Sequence, residues 1–147
     1  MNKITLAYIA GLFDGEGCFT LTRRDRVNSF GFQPQILLSS TDKDVIWWLK
    51  DTLGFGYYTE KKRLISGGYK VYNYGVGNFH DVKKLLDLLL PYLKIKRNVA
   101  KLLYEWIAHH KVAPRGRAYG SYQIPSWELN IFDQIHKFTQ KRSSLRI

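Results

Sequence analysis

The chain has 147 residues, of which 23 are Lys or Arg and 12 are Asp or Glu, so its formal net charge is +11. Apolar residues form 45% of the chain and aromatic residues 15%, which excludes a disordered basic tail and predicts a globular core. We expect residues 1–147 to form a single domain. The excess positive charge favours a polyanionic partner, although charge that serves solubility alone would look the same.

Two further features narrow the class of protein. No apolar run approaches the ~20 residues that span a bilayer, and no signal peptide opens the chain, so we expect no membrane partner. The single cysteine, Cys18, excludes an intramolecular disulfide and any multi-cysteine zinc site. These features predict an intracellular protein in a reducing compartment.

The first predicted element is a helix from Ile4 to Phe13. Its small residues Ala7, Ala10 and Gly11 are three or four positions apart, a spacing that is typical of a helix packed closely on another helix. The two glycines of the following Asp14-Gly15-Glu16-Gly17 segment predict that the helix ends there.

Alternation of apolar and polar residues predicts two strands after this helix. The first contains Phe19 and Leu21, and the basic segment from Arg23 to Asn28 is expected to form a turn. The second runs from about Phe30 to Ser39, and Pro34 within it predicts a bulge or a sheet edge. Its expected core side consists of Phe30, Phe32, Ile36 and Leu38.

A second helix and a hairpin are predicted next. Capping residues in the segment 41–44 begin a helix that Gly54 and Gly56 end. The expected apolar side of this helix consists of Val45, Trp48, Leu49 and Leu53. Two strands, 57–64 and 69–76, are then joined by the turn signal Ser66-Gly67-Gly68.

The remaining pattern predicts three more helices. Asn78 caps the first, which ends at Pro91 and has Val82, Leu85, Leu86 and Leu89 on its apolar side. The others span about 97–110 and 127–138, with a loop at 112–125. The order helix, strand, strand, helix, strand, strand, helix predicts an α+β fold in which helices cover one face of a four-stranded antiparallel sheet.

The uncovered sheet face is predicted to carry polar or cationic side chains almost throughout. They are Thr20, Thr22, Arg24, Gln33, Gln35, Thr59, Lys61, Arg63 and Asn73. Arg and Lys can pair with guanine, and Gln and Asn with adenine, so we expect Arg24, Gln33, Gln35, Lys61 and Asn73 to read bases. A polar face that is merely solvated is the alternative.

Residues 9–17, Ile-Ala-Gly-Leu-Phe-Asp-Gly-Glu-Gly, resemble the signature of the LAGLIDADG homing endonuclease family. The resemblance implies a site-specific endonuclease for double-stranded DNA with a long pseudo-palindromic target, and no small-molecule substrate. A single copy of the signature implies a homodimer, because the family packs two signature helices together. Such a protein belongs in a prokaryotic cytoplasm or an organelle.

The resemblance also assigns a metal site. The last acidic residue of the signature binds metal in the family, which implicates Glu16 with its neighbour Gly15, whereas Asp14 matches a structural contact at the helix end. Two Glu16 carboxylates that meet across a two-fold axis would repel each other unless cations lie between them. Hard oxygen ligands and phosphate suit Mg²⁺, which is the expected cofactor.

Two further catalytic residues are expected from the same resemblance. The segment 91–96, Pro-Tyr-Leu-Lys-Ile-Lys, is similar to a stretch whose final lysine lies beside the scissile phosphate, which implicates Lys96. A solvated lysine before a helix is the alternative. Relatives often carry a Gln near the nucleophilic water where this chain has Ser40, so this position departs from the family pattern.

Two other classes of function are compatible with parts of this pattern. A non-cleaving RNA-binding or DNA-binding protein of the same fold, such as an intron maturase or a transcription regulator, would also need the basic sheet. Glu16 and Lys96 favour cleavage because a binding protein needs neither. A structural or membrane-surface protein would explain the charge but not the acidic segment behind a close-packing helix.

Overall fold

The structure is a computed structural model that describes residues 1–26, 29–62, 68–110 and 123–143. Its elements in chain order are α1 (Lys3–Glu16), β1 (Gly17–Arg26), β2 (Ser29–Ser40), α2 (Lys43–Leu53), β3 (Tyr57–Lys62), β4 (Lys70–Val76), α3 (Phe79–Leu89), α4 (Arg97–His109) and α5 (Ser126–Ser143). The strands form one antiparallel sheet in the order β1-β2-β4-β3. The predicted α+β fold with a four-stranded antiparallel sheet is confirmed.

The core lies between the helices and one face of the sheet. Alternate strand residues on that face are buried, namely Phe19, Leu21, Ile36, Leu38, Tyr74 and Val76. Helices α1 and α3 contact β2, α2 contacts β4, and α4 and α5 contact β1. Side chains on the opposite sheet face, such as Thr22 and Lys61, are exposed. The expected division into a covered and an uncovered face is therefore confirmed.

Helix α1 is longer than predicted, because it continues through Asp14 and Gly15 to Glu16. The prediction that it ends at Phe13 is wrong. Glycine in a helix costs about 1 kcal/mol relative to alanine, so Gly15 alone disfavours the continuation. Tertiary hydrogen bonds to this last turn, described below, offset that cost.

Strands β1 and β2 are also longer than predicted. Their register runs without a bulge from the pair Gly17 and Leu38 to the pair Arg26 and Ser29, so 23–26 is strand and not turn. Residues 27–28 lie outside the described part of the chain. Pro34 pairs with Leu21 on β1, while β2 pairs with β4 only from Ile36 onward. The expected bulge at Pro34 is wrong, and β2 is an inner strand, although within the described residues Pro34 has a strand neighbour only on the β1 side.

The buried side of helix α2 agrees with the prediction only in part, since Leu49 and Leu53 are buried as expected. Asp42 accepts hydrogen bonds from the N–H groups of Asp44 and Val45, which confirms the expected cap, and Gly54 adopts the left-handed conformation at the C-terminal end. The buried residues are Ile46, Leu49 and Leu53. Trp48 is 39% exposed and was wrongly expected in the core.

The later helices follow the prediction more closely. The buried residues of α3 are the four expected ones, and α4 ends one residue earlier than predicted. Helix α5 is longer than the predicted 127–138. Most of the predicted 112–125 loop, most of the 66–68 turn and the last two residues of the third predicted strand lie outside the described residues, as does the side chain of Phe30.

Candidate metal site and nucleic-acid interface

The last turn of α1 is joined to the segment before α4 by a buried carboxylate. Asp14 is 8% exposed, and its two oxygens accept hydrogen bonds from the backbone N–H groups of Lys94 (2.7 Å) and Lys96 (2.8 Å). These bonds hold two segments together that are about eighty residues apart in sequence. The expected structural role of Asp14 at the helix end is confirmed.

The Lys96 side chain returns to the same turn. Its ammonium, on a side chain that is almost fully buried, donates to the carbonyl oxygens of Phe13 (2.9 Å), Gly15 (3.4 Å) and Gly17. The Phe13 carbonyl also accepts the Gly17 N–H, and a cation at a helix C-terminus complements the helix dipole. Lys96 is therefore not a solvated lysine, and these contacts are with protein backbone.

A cleft of about 390 Å³ opens beside this turn. Its lining includes the two residues expected to hold metal, Gly15 and Glu16, together with Lys96, and both Gly15 and Glu16 are exposed. Two lining residues from α5, Phe138 and Thr139, were not expected, because no sequence pattern relates α5 to the signature. Ser40 does not line this cleft.

The two residues expected to hold metal, Gly15 and Glu16, offer two oxygen donors. Among the described residues there is no group of three or more His, Cys, Asp or Glu side chains that could hold a metal ion. The Glu16 carboxylate and the Gly15 carbonyl are oxygen donors, which suit Mg²⁺.

Ser40 lies at the end of β2 with its hydroxyl in a turn. Its Oγ accepts the N–H of Asp42 at 3.0 Å, and its strand register puts it on the side of Tyr72 and the helices. The neighbouring Ser39 belongs to the uncovered face instead. The contacts of Ser40 thus explain how β2 leads into α2.

The uncovered sheet face brings the predicted reading residues together. Thr20 lies opposite Gln35, Thr22 opposite Gln33, and Asn73 lies between Ser39 and Thr59. Arg24 and Lys61 share this face by the same alternation. Arg63 lies outside the described residues. Eight of the nine expected side chains therefore share one surface.

Not all of these polar groups are equally available for an incoming partner. Asn73 is buried, and both of its amide atoms are bonded. Its Oδ1 accepts from the Ser39 hydroxyl (2.6 Å) and its Nδ2 donates to the Thr59 hydroxyl (3.1 Å). Gln33 donates to the carbonyl of Gly77 at 2.8 Å. Its other amide atom, Oε1, is buried without a partner among the described residues. The Asn73 amide is thus bonded within the sheet, and the Gln33 amide is bonded to the residue that follows β4.

Gln35 has a different partner, which the sequence analysis missed. Its Nε2 donates to the Tyr57 hydroxyl at 3.0 Å, although the two residues belong to strands that are not neighbours. The sequence pattern marks Tyr57 only as the first residue of a strand and does not indicate this contact. Its position directly after the glycines of residues 54–56 was the available signal.

The described residues leave most of the outer side of α1 uncovered. Ile4 is 83% exposed and Tyr8 56%, and Ala7 and Gly11 on the same side are exposed. Tyr8 and Trp48 of α2 make an edge-to-face contact, with 5.5 Å between ring centroids. Ala10 is fully buried in the core of its own chain, so its expected place in a contact between two α1 helices is wrong.

Helix α5 is attached to α4 by a buried carboxylate. Glu128 is 2% exposed, accepts from Trp106 Nε1 at 3.3 Å and contacts His110 Nδ1 at 3.0 Å. The rings of Trp106 and His110 stack with 4.3 Å between centroids. This cluster, also missed from sequence, positions the helix whose far end lines the cleft. No helix in the described part of the chain is long and apolar enough to cross a membrane.

Three solved structures show the same fold at low sequence identity. The homing endonuclease I-CvuI, in complex with the I-CreI target in 2 mM Mg with the DNA not cleaved, has a TM-score of 0.69 and 21% identity over 92% of this chain and 82% of that chain. The homing endonuclease I-TnaI has a TM-score of 0.61 and 16% identity over 92% and 96%. The archaeal intron-encoded homing endonuclease I-Vdi141I, complexed with DNA, has a TM-score of 0.54 and 18% identity over 93% and 98%.

Sequence comparison supports the same relationship. No curated protein sequence matches the chain, and the support comes from a family model. The family model described as LAGLIDADG endonuclease matches residues 9–107, which includes the signature, the whole sheet and most of α4. The chain therefore belongs to the LAGLIDADG endonuclease family.

Proposed function

We propose that this chain is a site-specific endonuclease for double-stranded DNA, with residues 1–147 acting as one LAGLIDADG domain. The observation that carries the proposal is the position of Glu16. It ends α1 directly before Gly17, where β1 and the uncovered sheet face begin, and it lines the cleft. DNA that lies along the polar face would thus run past the carboxylate.

The protein acts as a homodimer that is joined through the outer side of α1. Ile4 and Tyr8 offer apolar area, while Ala7 and Gly11 allow two helix backbones to approach. A Cβ at Gly11 or Gly15 would meet no atom within 4 Å in one chain, so the space beside both is open to a partner. Packing along this line brings the two Glu16 carboxylates together and supplies the second half of the metal site.

Glu16 and the Gly15 carbonyl would hold the divalent metal, for which Mg²⁺ is the expected ion. Bound there, the metal would polarise a phosphate oxygen and acidify a coordinated water. In the hydrolysis, a water oxygen forms a bond to phosphorus, a phosphorus–oxygen ester bond breaks, and the leaving oxygen gains a proton. The structure of I-CvuI with DNA in 2 mM Mg supports the use of a divalent metal by analogy.

Lys96 acts here through the protein backbone. Its ammonium donates to the Gly15 carbonyl, so it orients one of the two oxygen donors of the site. Nearness to the scissile phosphate, which the family resemblance implies, would add electrostatic stabilisation of the transition state. The hydroxyl of Ser40 accepts a backbone N–H, and no step of the reaction is assigned to it.

The sheet face would supply affinity and sequence preference. The positive charge of the chain favours phosphate contacts, which set the salt dependence of binding, whereas side chains on the sheet reach base edges. Strand β1 has 10 residues, which extend roughly 33 Å, the length of about 10 base pairs. Two sheets placed end to end would read a site on the order of 20 base pairs.

A non-cleaving DNA-binding or RNA-binding protein is the second candidate. The exposed acidic end of α1 argues against it, since a carboxylate beside phosphate disfavours binding unless a cation intervenes. The decisive experiment incubates the purified chain with a randomised duplex library in Mg²⁺ and sequences the cut ends. Recovery of one pseudo-palindromic cut site, absent with EDTA, supports the endonuclease. Enrichment of a bound duplex without cuts in either condition supports the binding protein.

A further inference from the structure

The Tyr57 ring lies across the sheet instead of standing away from it. Tyr57 on β3 is directly opposite Gly75 on β4, which in turn is opposite Leu37 on β2. A Cβ built on Gly75 would lie only 2.5 Å from both Cζ and the hydroxyl oxygen of Tyr57. Because glycine has no side chain, the tyrosine ring has room to cross β4 at Gly75.

This arrangement carries the tyrosine hydroxyl to Gln35. The hydroxyl accepts from Gln35 Nε2 at 3.0 Å, and Tyr57 remains 37% exposed. A primary amide has two N–H donors and one carbonyl acceptor. Once one N–H is donated to Tyr57, the second N–H and Oε1 remain for a partner on the open side. The tyrosine thus orients both remaining groups.

We propose that Gln35 and Tyr57 form one adenine-reading unit, with Gln35 as the residue that contacts the base and Tyr57 as its positioning residue. This inference rests on the proposed DNA-binding function of the sheet. Adenine presents an acceptor at N7 beside a donor at N6 in the major groove, which matches an N–H beside a carbonyl oxygen. Guanine presents two acceptors there, so its O6 would face Gln35 Oε1 and be disfavoured.

The neighbouring amides are less suited to this role. Gln33 is hydrogen-bonded to the Gly77 carbonyl and has a buried Oε1, and Asn73 is bonded at both amide atoms within the sheet. Gln35 is half-buried and is bonded to a side chain that is itself exposed. Among these three amides of the uncovered face, Gln35 is the one whose orientation is set while its base-pairing edge stays open.

The test compares base preferences of variants by selection from a randomised duplex library in Ca²⁺, followed by affinity measurements on the selected duplex. We expect the wild type to prefer adenine at one position of each half-site, by about tenfold or more over guanine. Gln35→Ala should lose the preference at that position only. Gln35→Glu should move it toward cytosine, whose N4 donates to a carboxylate.

The positioning role of Tyr57 is tested separately. Tyr57→Phe removes one oxygen, and Gly75→Ala introduces a Cβ where the ring lies, so both should reduce the adenine preference several-fold while other positions keep theirs. Tyr92→Phe, which removes a hydroxyl away from the sheet, should change nothing. An unchanged adenine preference in Tyr57→Phe, or an equal loss of affinity for all four bases, would overturn the inference. If the wild type enriched no sequence at any position, the proposed site-specific DNA binding itself would be contradicted.

Discussion

The Asp14 and Lys96 side chains each bind the backbone of the chain segment that carries the other residue. The Asp14 carboxylate accepts the backbone N–H of Lys96, while the Lys96 ammonium donates to the carbonyls on either side of Asp14 and to that of Gly17. Both side chains are at most 8% exposed. The last turn of α1, which ends in Glu16, is thus held by the segment that precedes α4.

Replacing Lys96 by methionine should destabilise the protein by about 3 kcal/mol, because the carbonyls of Gly15 and Gly17 lose their ammonium donor and a buried carbonyl without a donor costs about 1–3 kcal/mol. Urea unfolding of the variant measures the free energy of unfolding. Lys101→Met, at an exposed position of α4, is the matched control and should change stability by less than about 0.5 kcal/mol. Equal stability of the two variants would show that the ammonium is not needed for the last turn of α1.

Gly11→Leu should prevent dimerisation without harming the folded monomer. A Cβ at Gly11 meets no atom within 4 Å, and leucine favours a helix over glycine by somewhat under 1 kcal/mol. A leucine side chain would nevertheless hold two α1 helices apart. Sedimentation equilibrium with and without DNA measures the assembly. Ala108→Leu, at an exposed small residue of α4, serves as the control and should remain dimeric.

Asn73→Ala should reduce stability more than it alters base preference. The amide connects Ser39 on β2 with Thr59 on β3, and its loss leaves two hydroxyl groups without that partner, at a cost of about 1–2 kcal/mol. Thr22→Ala, at an exposed position of the same face, should be nearly neutral for stability. A changed base preference with unchanged stability would instead support the original expectation that Asn73 reads a base.

Glu128→Ala should loosen α5. The change leaves the indole N–H of Trp106 and the ring N–H of His110 without their carboxylate partner in a buried site, which costs about 2–4 kcal/mol. Amide hydrogen exchange should then rise along α5, including Phe138 and Thr139 at the cleft. Glu105→Ala, at an exposed position of α4, should leave exchange unchanged. Unchanged protection of α5 in Glu128→Ala would contradict the attachment.

Glu16→Gln should abolish cleavage and retain DNA binding. The amide preserves the size of the side chain but lacks the negative charge that attracts a divalent cation, and a lost metal could remove several kcal/mol of transition-state stabilisation. Without metal, removal of a negative charge beside phosphate should tighten binding slightly. Binding is measured in Ca²⁺ and strand cleavage in Mg²⁺ on one duplex. Near-normal cutting by Glu16→Gln would refute the metal assignment, and Glu105→Gln is the matched control.

The sequence by itself determined the order of the elements and the two faces of the sheet, and it is the source of the proposed metal site at the end of α1. Period-two alternation makes Phe19, Leu21, Ile36 and Leu38 share the buried side, because a strand has only two faces. The nine-residue signature identified Glu16 through residue types at fixed spacing. Neither inference needs contacts between distant residues.

The tertiary structure alone decided which polar groups are occupied and which are open. The last turn of α1 is helical because Asp14 and Lys96 supply hydrogen bonds across about eighty residues, which local propensity at Gly15 cannot reveal. Ala10 and Gly11 look alike as small residues, yet the helix turns one to the core and the other outward. Tyr57 reaches Gln35 only because pairing of β3 with β4 sets its ring over Gly75. These outcomes depend on packing between elements, and no local pattern contains that information.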